Sequence, residues 1–137
     1  WEILDELYEI IPSYSLPHMH ALVHAIEMGA VDREEKELGW LFQNDINFDR
    51  ELIVDSYFSA GRIDKAIEIQ LSQIEYSTNI VGRADINPKS VAKYYAVLAA
   101  LYKEAEMYDN AREAALKAVE YDQSQKESAE AFLKTLK

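Results

Sequence analysis

The residues best suited to chemistry are three histidines within seven residues, His18, His20 and His24. In the segment HALVHAIE, His20 and His24 lie one helical turn apart, and Glu27 follows on the same side. Imidazole nitrogens and a carboxylate oxygen are ligands that zinc accepts, so His20, His24 and Glu27 are weak candidate metal ligands. The chain has no HExxH pattern and indicates no remote fourth ligand. Ordinary histidines of a surface or groove fit the same spacing, so we expect no metal and no other cofactor.

Carboxylates are numerous, but none forms a pattern typical of catalysis. Pairs such as Asp45 with Asp49, or Glu104 with Glu106, have no neighbouring feature that would make one an acid and the other a base. The serines occur without a Gly-x-Ser-x-Gly turn, and no glycine-rich phosphate loop is present. We therefore predict that the protein is not an enzyme.

The composition favours a helical protein with one folded core. Hydrophobic residues make up 49% of the 137 residues, which is enough for a folded domain. Only four glycines and three prolines are present, too few for the many turns of an all-β chain. The absence of cysteine excludes disulfides and thiolate metal sites. The predicted fold class is all-α.

The net charge of −11 indicates which classes of partner the chain can attract. Such a chain repels phosphate backbones, so we expect no nucleic-acid partner, and a protein or peptide with basic residues is favoured instead. An acidic surface is also a common route to solubility, so this alternative stays open. No apolar run approaches the roughly 20 residues of a membrane span, so no membrane insertion by this segment is expected. Because the chain begins with Trp1 instead of Met, we expect a segment of a longer protein.

Apolar residues at helical spacing predict eight elements. They cover 2–11, 17–28, 32–42, about 48–60, about 63–76, a helix from 88, a helix from 108, and about 125–136. Gly29 and Gly61 are predicted left-handed stops, and Asn87 with Pro88 is a cap and first-turn pair. The stretch 77–87 around Gly82 lacks a pattern and is predicted to be a loop.

The third of these helices has a specific predicted orientation. Asp32 and Glu35 resemble a capping box at its start. Its predicted buried face is Leu38, Leu41 and Phe42. Its predicted water-facing residues are Arg33, Glu34, Lys36 and Glu37.

The stretch 91–124 carries a family resemblance. Its distinguishing positions are Tyr95, Leu98, Ala99 and Tyr102 on a first helix, then Tyr108, Ala111, Ala115 and Ala118 on a second. This pattern resembles a tetratricopeptide repeat (TPR), a helical hairpin of about 34 residues. Small residues stand where the two helices cross. Glu106 and Gln123 depart from the family's turn glycine and terminal proline.

Fainter copies precede this repeat. The segment 47–75 keeps Ile53, Tyr57, Gly61, Ile63 and Ala66 at corresponding places. The offset from Ile53 to Leu98 is 45 residues, so 77–87 is interpreted as an inserted loop. The helices at 17–42 are either a degenerate third copy or an unrelated hairpin.

The resemblance implies a single TPR-like domain over 1–137, an α–α solenoid of about seven or eight helices. Its parts are N-terminal helices over 1–43, repeats over 47–76 and 88–124, and a capping helix over 125–137. The expected function is a non-catalytic scaffold that binds a protein or peptide on the concave face. Self-association is left open, because solenoid ends without a cap are sticky.

The register places specific side chains on that concave face. They are Met19, Val23 and Ile26 from the weak copy, Glu51, Asp55, Phe58 and Ser59 from the middle copy, and Lys93, Ala96, Ala100 and Lys103 from the strong copy. Some family members hold acidic peptide ends with a clamp of Lys, Asn and Arg, and Glu51, Asp55 and Ala100 replace that clamp here.

Two other functions stay open at this point. One is a soluble tail of a larger bacterial membrane protein, such as an O-antigen type polysaccharide polymerase or ligase, which packs on its parent and is extracytoplasmic. The other is a metal site at the histidines.

Overall fold

The structure, a computed structural model, describes residues 15–45, 47–80 and 83–136, and every regular element in them is helical. The α-helices are α1 Ser15–Met28, α2 Val31–Asn44, α3 Arg50–Ser59, α4 Ile63–Glu75, α5 Pro88–Glu104, α6 Tyr108–Tyr121 and α7 Lys126–Leu133. A π-helical turn covers Tyr76–Ile80, and 3₁₀ turns cover Arg83–Asp85 and Gln123–Gln125. The all-α prediction is confirmed. None of these helices combines the length and the apolar character needed to cross a membrane.

The chain divides into two compact units, Trp1–Gly61 and Arg62–Lys137, called here the N-terminal and C-terminal units. The boundary follows Gly61, inside the predicted middle repeat. The predicted helix 2–11 and the predicted loop centre Gly82 lie outside the described residues. The single-domain organisation over 1–137 stays a prediction.

In the N-terminal unit, α1 packs against α2 and α3. The centre of this unit is apolar, because Leu22, Leu41 and Ile53 are fully buried. Gly29, at φ +69°, ends α1 as predicted, and a left-handed residue there closes the turn without strain. Its N–H donates to Ile26 O, and the next N–H donates to Ala25 O.

The predicted orientation of α2 is wrong in part. Glu34 and Glu37 are buried at 1% and 0% exposure, whereas Phe42 is 38% exposed. Tertiary partners explain the difference, because Glu34 accepts a hydrogen bond from Tyr57 and Glu37 contacts His18. A buried carboxylate is tolerated only when such partners replace water.

The predicted capping box at Asp32 is also wrong. The N-cap of α2 is Ala30, which makes no side-chain capping bond, and Asp32 lies inside the first turn. The chain enters α2 directly from the Gly29 turn, since Val31 N donates to Gly29 O. Asp32 still lies where a carboxylate interacts favourably with the helix dipole.

In the C-terminal unit, α5 packs against α4 and α6, and α6 also contacts α7. The two helices predicted from 88 and from 108 are present as α5 and α6, with Asn87 capping α5 through its bond from Ser90 N as predicted. The small residues at the crossing are buried: Ala99, Ala111, Ala114, Ala115 and Ala118. Their methyl groups allow the two backbones to approach closely.

The predicted loop at 77–87 is partly helical. The chain leaves α4 through the π-helical turn Tyr76–Ile80, where Ser77 Oγ donates to Gln73 O and Thr78 Oγ1 donates to Ile74 O. Such hydroxyl bonds to carbonyls one turn back support a helical continuation without apolar periodicity. Because the residues of this turn lack apolar periodicity, the sequence pattern predicted a loop where the chain is helical.

Candidate functional site

The candidate metal ligands do not form a metal site in the described part of the chain. His20, His24 and Glu27 are exposed on α1, and no group of three or more His, Asp or Glu residues there could hold an ion. The third histidine, His18, is buried, and its Nδ1 lies 2.5 Å from Glu37 Oε2. The histidines therefore divide between surface and core.

The predicted groove lining needs correction on α1. Met19 and Ile26 are 7% and 1% exposed, so these side chains belong to the core and cannot line an open groove. Val23 is half-buried. The error arises because Met19 and Ile26 share the apolar face of α1 with Leu22, and this face packs inside the unit, where α1 contacts α2 and α3.

On α3, the four predicted lining residues are all exposed: Glu51, Asp55, Phe58 and Ser59. Two of them, Asp55 and Ser59, border an open hollow of about 350 Å³ in the N-terminal unit. Glu27, Ser56 and Ala60 complete its lining. Its lining includes the two carboxylates of Glu27 and Asp55, and the partner with basic residues that the sequence favours stays a prediction.

On α5, the predicted lining residues share one face. Lys93, Ala96 and Ala100 are exposed, and Lys103 is half-buried. Lys103 Nζ donates to Thr135 Oγ1 at 3.0 Å and lies 5.9 Å from the centroid of the Phe132 ring. These contacts hold one end of the face against the segment that contains α7.

A small apolar hollow of about 90 Å³ opens beside this face. Its lining residues come from α5, α6, the last 3₁₀ turn and α7: Ala96, Ala99, Ala115, Ala118, Gln125, Ser128, Ala129 and Phe132. Ala96 belongs both to this lining and to the predicted concave face. The volume is roughly three times the ~30 Å³ that one water occupies in the liquid, which suits one aliphatic side chain.

Two tyrosines next to this region are packing residues. The rings of Tyr95 and Tyr121 stack with centroids 5.7 Å apart. Burial, and next the neighbouring Tyr121, raise the pKa of Tyr95, so its hydroxyl stays protonated at neutral pH.

The most polar interior of the described chain was missed by sequence reasoning. His18 stacks on Trp40 at 3.6 Å between ring centroids, Arg33 Nε lies 2.9 Å from Glu37 Oε1, and Tyr57 donates to Glu34 at 3.0 Å. These six residues form the buried ionic cluster. One signal was available, because Glu34 and Glu37 share a helical face with the buried Leu41.

Arg50 adds a cation to the same unit. It is 2% exposed, and its guanidinium lies 4.3 Å from the Phe48 ring centroid and 5.5 Å from that of Phe42. Guanidinium groups stack favourably on aromatic faces. Arg50 and the residues of the buried ionic cluster therefore pack against or pair with other side chains of this unit. We assign these contacts a structural role.

Neither protein-family models, nor curated proteins, nor solved structures match this chain. The two hollows and the α5 face are therefore the features from which a function is proposed.

Proposed function

We propose that this chain is a non-catalytic scaffold of TPR-like helical hairpins that binds a segment of a protein partner. The partner segment lies along the exposed face of α5 and inserts one aliphatic side chain into the alanine-lined hollow. The resemblance of 91–124 to a repeat whose first helix lines a concave face supports this proposal.

The single observation that carries the proposal is the open hollow next to Ala96. It is lined mainly by alanine side chains, so most of the surface that it offers is apolar. Binding sites are usually lined by apolar side chains with a few polar groups, and this hollow has that composition at the size of one side chain. Gln125 and Ser128 are those polar groups.

An aliphatic side chain that enters the hollow would contribute a measurable part of the binding free energy of the partner segment. Removing one aliphatic side chain from water contributes about 1.5–3 kcal/mol. Since 1.4 kcal/mol corresponds to about tenfold in Kd, one such anchor changes affinity by roughly 10-fold to 100-fold. A variant that fills the hollow should lose this contribution.

The test begins with selection of binders from a random peptide library displayed on phage, with the whole chain as bait. The Kd of each selected peptide is then measured by fluorescence anisotropy for the natural chain, for Ala96→Trp and for the control Ala131→Trp. Ala131 is exposed on α7 and does not line the hollow. We expect Ala96→Trp to weaken binding at least tenfold and the control to change Kd less than twofold.

Equal effects of the two variants would contradict the proposal. A library that yields no binder would also contradict it. Far-UV circular dichroism during heating shows whether each variant keeps its helices.

A further inference from the structure

We infer that the face of α5 beside the alanine-lined hollow recognises an acidic segment, in which carboxylates flank the aliphatic anchor. This inference rests on the proposed function, because it assigns the chemistry of the ligand at the same site. It differs from the basic partner that the net charge predicts.

The local charge of α5 is opposite to that of the chain. The helix α5 contains Lys89, Lys93 and Lys103 against the single carboxylate of Glu104, a net charge of +2, although the chain has a net charge of −11. The eight residues that line the hollow are uncharged. The outer face of α7 is balanced, with Lys126 and Lys134 against Glu127 and Glu130, all exposed. The positive charge beside the hollow therefore comes from α5.

The helical register places two lysine residues on either side of the exposed alanines. Lys93 and Lys103 are ten positions apart on α5, which corresponds to about 15 Å along the helix axis. Ala96 and Ala100 lie between them on the same face. Lys103 is held in place by its bond to Thr135.

The spacing of the lysines sets the expected pattern of the ligand. An extended peptide advances about 3.3 Å per residue, so two carboxylates about four or five residues apart would reach both ammonium groups. An aliphatic residue between them would enter the hollow, because Ala96 lies between the lysines and lines it. Opposite charges at such a rim select partners and raise the rate of encounter more than they raise affinity.

The peptides selected on the natural chain test this inference. We expect them to be enriched in Asp and Glu around one aliphatic residue. Their Kd is measured for the natural chain and for two double variants, Lys93→Glu with Lys103→Glu and Lys93→Gln with Lys103→Gln. The control is a third double variant, Lys65→Glu with Lys117→Glu. Lys65 and Lys117 do not line the hollow and pair with Glu68 and Glu120.

The double charge reversal should weaken binding by about tenfold, the glutamine pair by a smaller factor, and the control pair by less than twofold. Binding of the natural chain should also weaken between 50 mM and 500 mM NaCl, because salt screens exposed charges. Selected peptides that are basic or neutral, or a double reversal that changes Kd less than twofold, would overturn the inference.

Ala96→Trp separates the two proposals. If it weakens binding while the charge reversal does not, the scaffold proposal stands and the charge inference fails. If neither change weakens binding, both fail.

Discussion

Glu106 is the described non-glycine residue with a positive φ, at +59°. It lies after the end of α5, where the chain makes the same pair of hydrogen bonds that the N–H groups of Gly29 and Ala30 make at the end of α1. Glu106 N donates to Lys103 O, and Met107 N donates to Tyr102 O. A side chain makes this left-handed conformation unfavourable by roughly 1–2 kcal/mol, and glycine avoids that strain.

We therefore expect Glu106→Gly to raise the free energy of unfolding by about 0.5–1 kcal/mol. The gain is smaller than the strain because glycine loses more backbone entropy on folding. Urea unfolding followed by circular dichroism measures it. Glu113→Gly is the control, since Glu113 is exposed inside α6 and glycine there should destabilise by a similar amount. Two variants that both destabilise would contradict the argument.

The carboxylate of Glu37 is fully buried between His18 and Arg33. Glu37→Gln keeps the shape but removes the charge that both neighbours contact. Breaking a buried ion pair on one side costs on the order of 3 kcal/mol. We expect this loss in urea unfolding, and less than about 0.5 kcal/mol for the exposed Glu35→Gln. A small loss at Glu37 would show that the cluster contributes little to stability.

Asp122 carries a pH-dependent contribution. The hydroxyl of Ser124, and next its backbone N–H, donate to the carboxylate of Asp122 and lower its pKa. Because this folded-state pKa lies below the unfolded value, the stabilisation is present above the unfolded pKa and is lost as pH falls through the folded one. Ser124→Ala should raise the pKa of Asp122, as followed by carboxyl carbon NMR. An unchanged pKa would contradict the assignment.

At the scale of elements, α5 and α6 are held together by small side chains. Ala111 is fully buried at their crossing, and larger residues would separate the helices. Ala111→Leu should destabilise the protein by about 1–3 kcal/mol through overpacking. The same change at the exposed Ala131 should have little effect. Urea unfolding of both variants is the measurement, and equal stability would mean that the crossing has spare room.

At the scale of the whole molecule, the chain contains two compact units with different interiors. The N-terminal unit contains the buried ionic cluster, whereas the helix crossing of the C-terminal unit is built from alanines. A fragment of residues 62–137 should fold alone, because its helices α4 to α7 contact one another in sequence order. Cooperative thermal unfolding of the fragment by circular dichroism would support this, and a gradual, non-cooperative loss of signal would contradict it.

Much of the helical layout could be predicted from local chemistry. Apolar spacing, the Asn87–Pro88 pair and the glycines at 29 and 61 act within one or two turns, so their effects are visible in sequence. The same holds for the alanine face of α6, since small residues at helical spacing indicate a close crossing. At the candidate site, the helical spacing of α5 predicted which of its residues share the exposed face, including Ala96.

The tertiary structure decided which charged residues are buried and which hollows are open. Glu34 and Glu37 are polar by type, and only partners 19 and 23 positions away, His18 for Glu37 and Tyr57 for Glu34, make their burial favourable. Met19 and Ile26 match a lining pattern, yet packing against α2 and α3 places them inside. The alanine-lined hollow likewise depends on where α7 lies against α6. Such contacts join residues far apart in sequence, and a periodic pattern records only the neighbours within one helix.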